Sequence, residues 1–221
     1  MSKEIAILLP YKEKFTNKDA GAASIWVKDY LKKSKLSNKT IVYGNLAKSE
    51  KPITNNFKNI NISKIYIKKN LYYTKKFFQN CVDQQHKIIE IHNRPESLNF
   101  FFEKKKMNNF KLIFVFHNNP LELRGSKTVE ERLNIIKNTD YIFFVSAWVK
   151  NKFFENIDVK ERNNCEVLYP SIEPIKKINK NKKKTIIFTG KLNSSKGYDI
   201  FLEAITKILN KYNSWNAVAV G

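Results

Sequence analysis

The chain has 221 residues, 42% of them hydrophobic and 13% aromatic, enough for a packed core and incompatible with wholesale disorder. Its net charge of +21 suggests a polyanion-binding surface, yet only four of its 41 basic residues are Arg. Base readout and bidentate phosphate clamping both favour Arg, so the lysine excess, accompanied by abundant Asn and Ile, reads as A/T-rich codon usage and solubility, and no nucleic-acid partner is expected.

The first apolar run, residues 5–9, ends at Pro10. It is too short for the core of a signal peptide, and no stretch approaches the ~20 apolar residues that span a bilayer. A cytoplasmic protein is expected, at most peripheral at the inner face of the membrane. Further strands are predicted over 40–43, 64–67, 87–91, 111–116, 141–145, 166–169, 185–189 and 216–220. Residues Leu112 to Phe116 are all apolar, as in strands covered on both faces.

Between the strands lie predicted helices over 22–34, 70–82, 96–106, 128–138, 147–156 and 199–212. Thr128 followed by Glu131 is a capping-box pattern that starts one of them. In the second helix Lys68, Lys69, Lys75 and Lys76 occupy one side, with Leu71, Tyr73, Phe77, Phe78 and Cys81 opposite. A core-facing helix with a solvated basic face explains this pattern; docking on an anionic membrane surface is the other reading. Phe201, Leu202, Ile205, Ile208, Leu209 and Tyr212 give the last helix a one-sided stripe. Alternating strands and helices predict an α/β fold built on a doubly wound parallel sheet.

Residues 171–184, SIEPIKKINKNKKK, carry six lysines and a proline with little to bury, and are expected to form a basic interdomain linker. The expected organisation is a Rossmann-like domain over 1–170, this linker, and over 185–221 the β-α-β beginning of a second Rossmann-like domain. That last piece is shorter than the ~40 residues that usually fold unaided, so a domain cut short is expected. Cys81 and Cys165 have no metal-ligand or redox spacing and read as two buried thiols in a reducing compartment.

The segment with most chemical content is IIFTGKLNSSKG, residues 186–197. A strand taken to be buried leads to Gly190, and Lys191 and Lys196 flank a polar loop before a helix. Ligands of open α/β sheets bind beyond the carboxyl ends of the strands, where two ammonium groups could neutralise a departing diphosphate; a loop with two solvated lysines is the plainer alternative. Two strand ends carry histidine: His92, followed by Asn93, Arg94 and Pro95, and His117, followed by Asn118, Asn119 and Pro120. A single histidine after a strand is usually a hydrogen-bonded structural residue, but two in equivalent positions point to one crevice.

Residues 186–197 resemble the donor-phosphate loop of the retaining glycosyltransferases of family 4, with Lys191 where Arg is more usual. Residues 19–23, DAGAA, resemble that family's first Gly-rich loop, with Gly21 followed by Ala22. Residues 92–96, 117–127 and the strand end at Ser146 resemble the subgroup that builds spore coats and surface polysaccharides, including lipopolysaccharide. The resemblance is collinear over nearly the whole chain. It implies a GT-B fold and transfer of a sugar, with retention, from a nucleoside diphosphate sugar to a glycan or glycolipid hydroxyl. It places His117 beside the reacting sugar as catalytic residue, Gly21, Lys191 and Lys196 on the donor phosphates, and His92, Asn93, Arg94 and Ser146 on the substrate side. A neutral His117 is expected to donate a hydrogen bond to a sugar hydroxyl. No cofactor beyond the donor substrate is expected, and no metal, because Asp-x-Asp and His/Cys clusters are lacking. The alternatives are a nucleotide-sugar epimerase or phosphorylase on the same fold, or a non-catalytic polyanion-binding module.

Overall fold

Strand β1 (Ile5–Leu8) is buried along its whole length, and its side chains alternate between two cores. In the computed structural model, which describes residues 3–62, 67–158, 164–172, 174 and 181–221, Ala6 and Leu8 join one cluster. Ile5, Ile7 and Leu9 join the other. A strand apolar on both faces needs cover on both, and parallel sheets obtain it from crossover helices. Helix α1 (Ala22–Lys33) supplies Ala23, Trp26, Val27 and Leu31 to the second cluster. Helices α2 (Lys69–Asp83), α3 (Leu98–Lys105), α4 (Val129–Asn138) and α5 (Ala147–Phe153) supply Phe77, Phe101, Ile135 and Phe153 to the first.

Among the described residues the sheet has seven strands, all parallel, in the order β3-β2-β1-β4-β5-β6-β7. These are β2 (Thr40–Gly44), β3 (Phe57–Asn59), β4 (Ile88–His92), β5 (Lys111–Phe116), β6 (Tyr141–Phe144) and β7 (Cys165–Val167). The order runs one way from β1 to β3 and the other way from β4 to β7. A crevice therefore opens beyond the carboxyl ends of β1 and β4, where successive crossovers leave to opposite sides. Together with the second unit this is the expected α/β, Rossmann-like architecture.

Most expected elements are present, with shifted ends. The strand expected over 64–67 lies outside the described residues, apart from the exposed Ile67. Strand β3 was not anticipated, because Phe-Lys-Asn lacks apolar alternation and takes its shape from the partner strand β2. Pro95 starts a 3-10 turn at Pro95–Ser97, so the helix predicted from 96 begins at Leu98. The capping box at α4 is complete, with Thr128 accepting from the Glu131 N–H and Glu131 accepting from the Thr128 N–H. On α2 the buried side comprises Tyr73, Thr74, Phe77, Phe78 and Cys81, whereas Leu71 lies exposed among the lysines. Both cysteines are buried. Among the described residues no helix is long and apolar enough to cross a membrane.

The chain separates into two compact units, Met1–Ile172 and Glu173–Gly221. In the second, β8 (Thr185–Thr189) pairs in parallel with β9 (Asn216–Val220), and α6 (Tyr198–Lys211) covers one face. Phe188 packs against Tyr198 and Phe201 of that helix. Ile187 and Val220, on the other face, are 60% and 56% exposed. The expectation of a buried strand over 186–189 is thus corrected, since among the described residues one helix covers only one side of a two-stranded ribbon.

Candidate functional site

Strand β4 reads Ile-Ile-Glu-Ile-His, and its period of two places Glu90 and His92 on the same face. Both are buried, His92 with 0% exposure. The Glu90 carboxylate lies 2.7 Å from Nε2 of His92. On the other side of the ring, Nδ1 of His92 lies 2.8 Å from Nε2 of His117. His117 directly follows β5, whose register sets Val115 opposite His92 and so holds the two histidines on neighbouring strand ends. Their rings stack with centroids 5.1 Å apart.

Trp26 closes this cluster from α1. Its ring meets His92 and His117 nearly edge-on, at 5.4 and 5.9 Å between centroids, and stacks on Tyr30 at 5.6 Å. Burial, and secondarily the neighbouring His92, push the His117 imidazole down to about 3, so the ring is neutral throughout the physiological range. His117 is only half-buried, and its Nδ1 has no hydrogen-bond partner among the described residues. The cluster is a carboxylate–imidazole–imidazole chain that ends on a neutral ring at the edge of the crevice.

Asn93 fixes the geometry from the backbone side. It adopts a left-handed conformation at φ +53, which Asn tolerates better than most residues. Its N–H donates to the Val115 carbonyl at 3.0 Å, and its side-chain oxygen accepts from the His117 N–H at 3.3 Å. Arg94 donates through Nη1 to the Asn93 carbonyl, while its buried Nε has no partner among the described residues. The two histidine-bearing loops also touch each other. Gly125, at φ +92, lies so close to Pro95 and Glu96 that a Cβ would overlap their backbone.

Gly21 is the N-cap of α1, where the sequence led to the expectation of a donor phosphate, and a side chain of the chain itself occupies that helix start. Glu13 accepts from the Ser24 N–H at 3.0 Å, and a Cβ on Gly21 would overlap its carboxylate. An internal carboxylate thus caps the positive end of the helix. Ser146 is the N-cap of α5, with its hydroxyl accepting from the Val149 N–H at 3.2 Å, so it carries a structural duty in the described arrangement.

Lys191 and Lys196 belong to the second unit. Gly190 leaves β8 at φ +146 with its N–H on the Val220 carbonyl at 2.9 Å. The loop closes in a 3-10 turn over Ser194–Lys196, and Gly197, at φ +72, starts α6. Both lysines are exposed, and neither ammonium makes an ion pair among the described residues. The loop therefore presents two solvated charges beyond a strand end.

Sequence reasoning gathered His92, Asn93 and His117 but passed over Glu90, Trp26 and Glu13. Glu90 had a legible signal: a lone carboxylate inside an apolar strand, two residues before a candidate histidine. Trp26 had none beyond its place on the apolar stripe of α1, and the reach of Glu13 is visible only in three dimensions.

No protein-family model and no curated protein sequence matches the chain. Solved structures share its fold at low identity. HepE of Anabaena, in complex with UDP and glucose, superposes with a TM-score of 0.67 at 12% identity, over 99% of this chain and 61% of HepE. Sucrose-phosphate synthase of Thermosynechococcus elongatus gives 0.57 at 10% identity, over 98% of this chain and 70% of the synthase. A putative UDP-N-acetylglucosamine 2-epimerase of Listeria monocytogenes gives 0.59 at 10% identity, over 99% and 62% respectively. The chain thus spans about three fifths of the length of most of these proteins. The fold is of the GT-B type, and at such identities the likeness concerns the fold alone.

Proposed function

We propose that this chain belongs to a glycosyltransferase that moves a sugar from a nucleoside diphosphate sugar to a glycan or glycolipid hydroxyl in surface-polysaccharide synthesis, with retention of anomeric configuration. The observation that carries the reading is the paired His92 and His117 at the topological switch point of a GT-B sheet. A neutral imidazole held rigidly at a crevice edge can orient a sugar hydroxyl without acting as a base. In retaining transfer the departing phosphate can accept the proton of the acceptor, so no protein base is obligatory. Lys191 and Lys196 would offset the charge that builds on the diphosphate as it leaves. Asn93 and Arg94 would lie toward the acceptor side, whereas His92, placed there by the sequence, is fully buried and would reach the substrate only through His117; the backbone at Gly21 would approach the donor phosphates once Glu13 moves aside.

HepE, with its bound UDP and glucose, supports the nucleotide-sugar part of this reading, and the epimerase neighbours support a second one, isomerisation of the same class of donor. One assay separates them. The protein is incubated with a panel of nucleoside diphosphate sugars, with and without glycan acceptors, and products are followed by NMR. Nucleoside diphosphate release that requires an acceptor supports transfer. Epimerised donor without an acceptor product selects the second reading, and failure to bind any nucleoside diphosphate in calorimetry sinks both.

A further inference from the structure

We infer that Glu90 is a positioning residue that, through His92, sets the tautomer of His117, so that His117 meets its substrate as a hydrogen-bond acceptor. This rests on the proposed function only for the identity of the substrate group, a sugar hydroxyl. An ionised carboxylate has no proton to give, so the 2.7 Å contact between Glu90 and His92 places the hydrogen on Nε2 of His92. In a neutral ring the other nitrogen, Nδ1, then holds a lone pair. The 2.8 Å contact between His92 and His117 needs a single hydrogen, which must therefore sit on Nε2 of His117. The remaining nitrogen of His117, Nδ1, is left as a lone pair at the crevice edge. Without the carboxylate, His92 could carry its hydrogen on Nδ1, and His117 would present an N–H instead.

The consequence reverses the expectation drawn from sequence, in which a neutral His117 donates to the sugar. Here the sugar hydroxyl donates and His117 accepts. The site has the means to hold this state. His92 is 0% exposed, so water cannot supply a competing donor or acceptor. Trp26 walls both rings, and Asn93 fixes the backbone of His117. A site built to accept from a hydroxyl rejects analogues that lack that proton, because its own lone pair is then left without a partner.

The test reads the tautomers directly. In the chain labelled with 15N-histidine, long-range proton–nitrogen correlation is expected to show hydrogen on Nε2 and none on Nδ1 for both His92 and His117. Glu90→Leu removes the acceptor and should move a large fraction of His117 to the Nδ1–H form, while Glu90→Gln, which retains an acceptor oxygen, should restore the wild-type pattern at least in part. A wild-type His117 protonated on Nδ1 overturns the inference, and so does an unchanged tautomer in a folded Glu90→Leu protein. The wild-type spectrum alone decides the matter if that variant does not fold. These spectra need no turnover, so they stay readable if glycosyl transfer is not the reaction. Where transfer is found, Glu90→Leu should lower kcat by ~10-fold with little change in nucleotide affinity, and that loss should disappear in a His117→Ala background. Equal losses in both backgrounds would make Glu90 merely structural.

Discussion

Replacing His92 by Leu isolates the energetics of the buried chain of polar groups. The substitution roughly conserves volume, so the cavity contribution is small and the cost falls on the partners. Glu90, buried beneath the sheet face, loses its only hydrogen-bond partner among the described residues. Leaving a buried carboxylate charge uncompensated costs ~3–5 kcal/mol. His117 also loses a contact, but it is half-buried and water can take over. The expected loss at pH 7 is therefore ~3–5 kcal/mol. Replacing Glu90 alone leaves Nε2 of His92 without a partner, at ~1–3 kcal/mol. Replacing both by Leu removes donor and acceptor together, and the double variant should lie within ~1–2 kcal/mol of wild type. Urea unfolding followed by circular dichroism, completed as a double-mutant cycle, measures this. Single losses that simply add would refute the reasoning.

In a nucleotide-sugar turnover assay, His117→Ala should lower kcat far more than it weakens nucleoside diphosphate binding, and His117→Gln, which keeps a side-chain acceptor, should recover part of the loss. Because the His117 value is pushed down to about 3, the neutral ring contributes stability that is fully present above the unfolded value of ~6.5 and is lost as pH falls toward 3; a denaturation series from pH 7 to 4 should show a shallower decline for His117→Gln. Lys196→Ala should reduce turnover by ~10²-fold, while Lys191→Arg should retain or raise it, and unchanged transfer rates in Lys196→Ala would remove these lysines from the chemistry. If the start of α1 receives phosphate, Glu13→Gln should tighten pyrophosphate binding in calorimetry several-fold, at a cost of ~0.5–1 kcal/mol of helix stability; an unchanged or weaker affinity would leave Gly21 as a helix start and nothing more.

Much of the fold was legible because it depends on local periodicity. The all-apolar run Leu112 to Phe116 requires cover on two faces whatever surrounds it, and Thr128 with Glu131 closes its capping box within four residues. Alternating strands and helices then leave few topologies, and the histidines at 92 and 117 fell at strand ends for the same reason. Strand β3 was not legible, since Phe57, Lys58 and Asn59 pair with β2 through backbone groups that carry no residue signature. The sequence by itself determined which residues stand at the carboxyl ends of the strands. Only the tertiary structure decided what those residues meet: Glu90 reaching His92, Trp26 crossing from α1 to both imidazoles, and Glu13 capping the helix start beside Gly21. Such contacts join residues up to 91 positions apart, as Trp26 and His117 are, and no periodic pattern encodes them. The protonation state of His117 belongs to the same class, because it depends on the solvent removed and the charge brought near when the strands assemble.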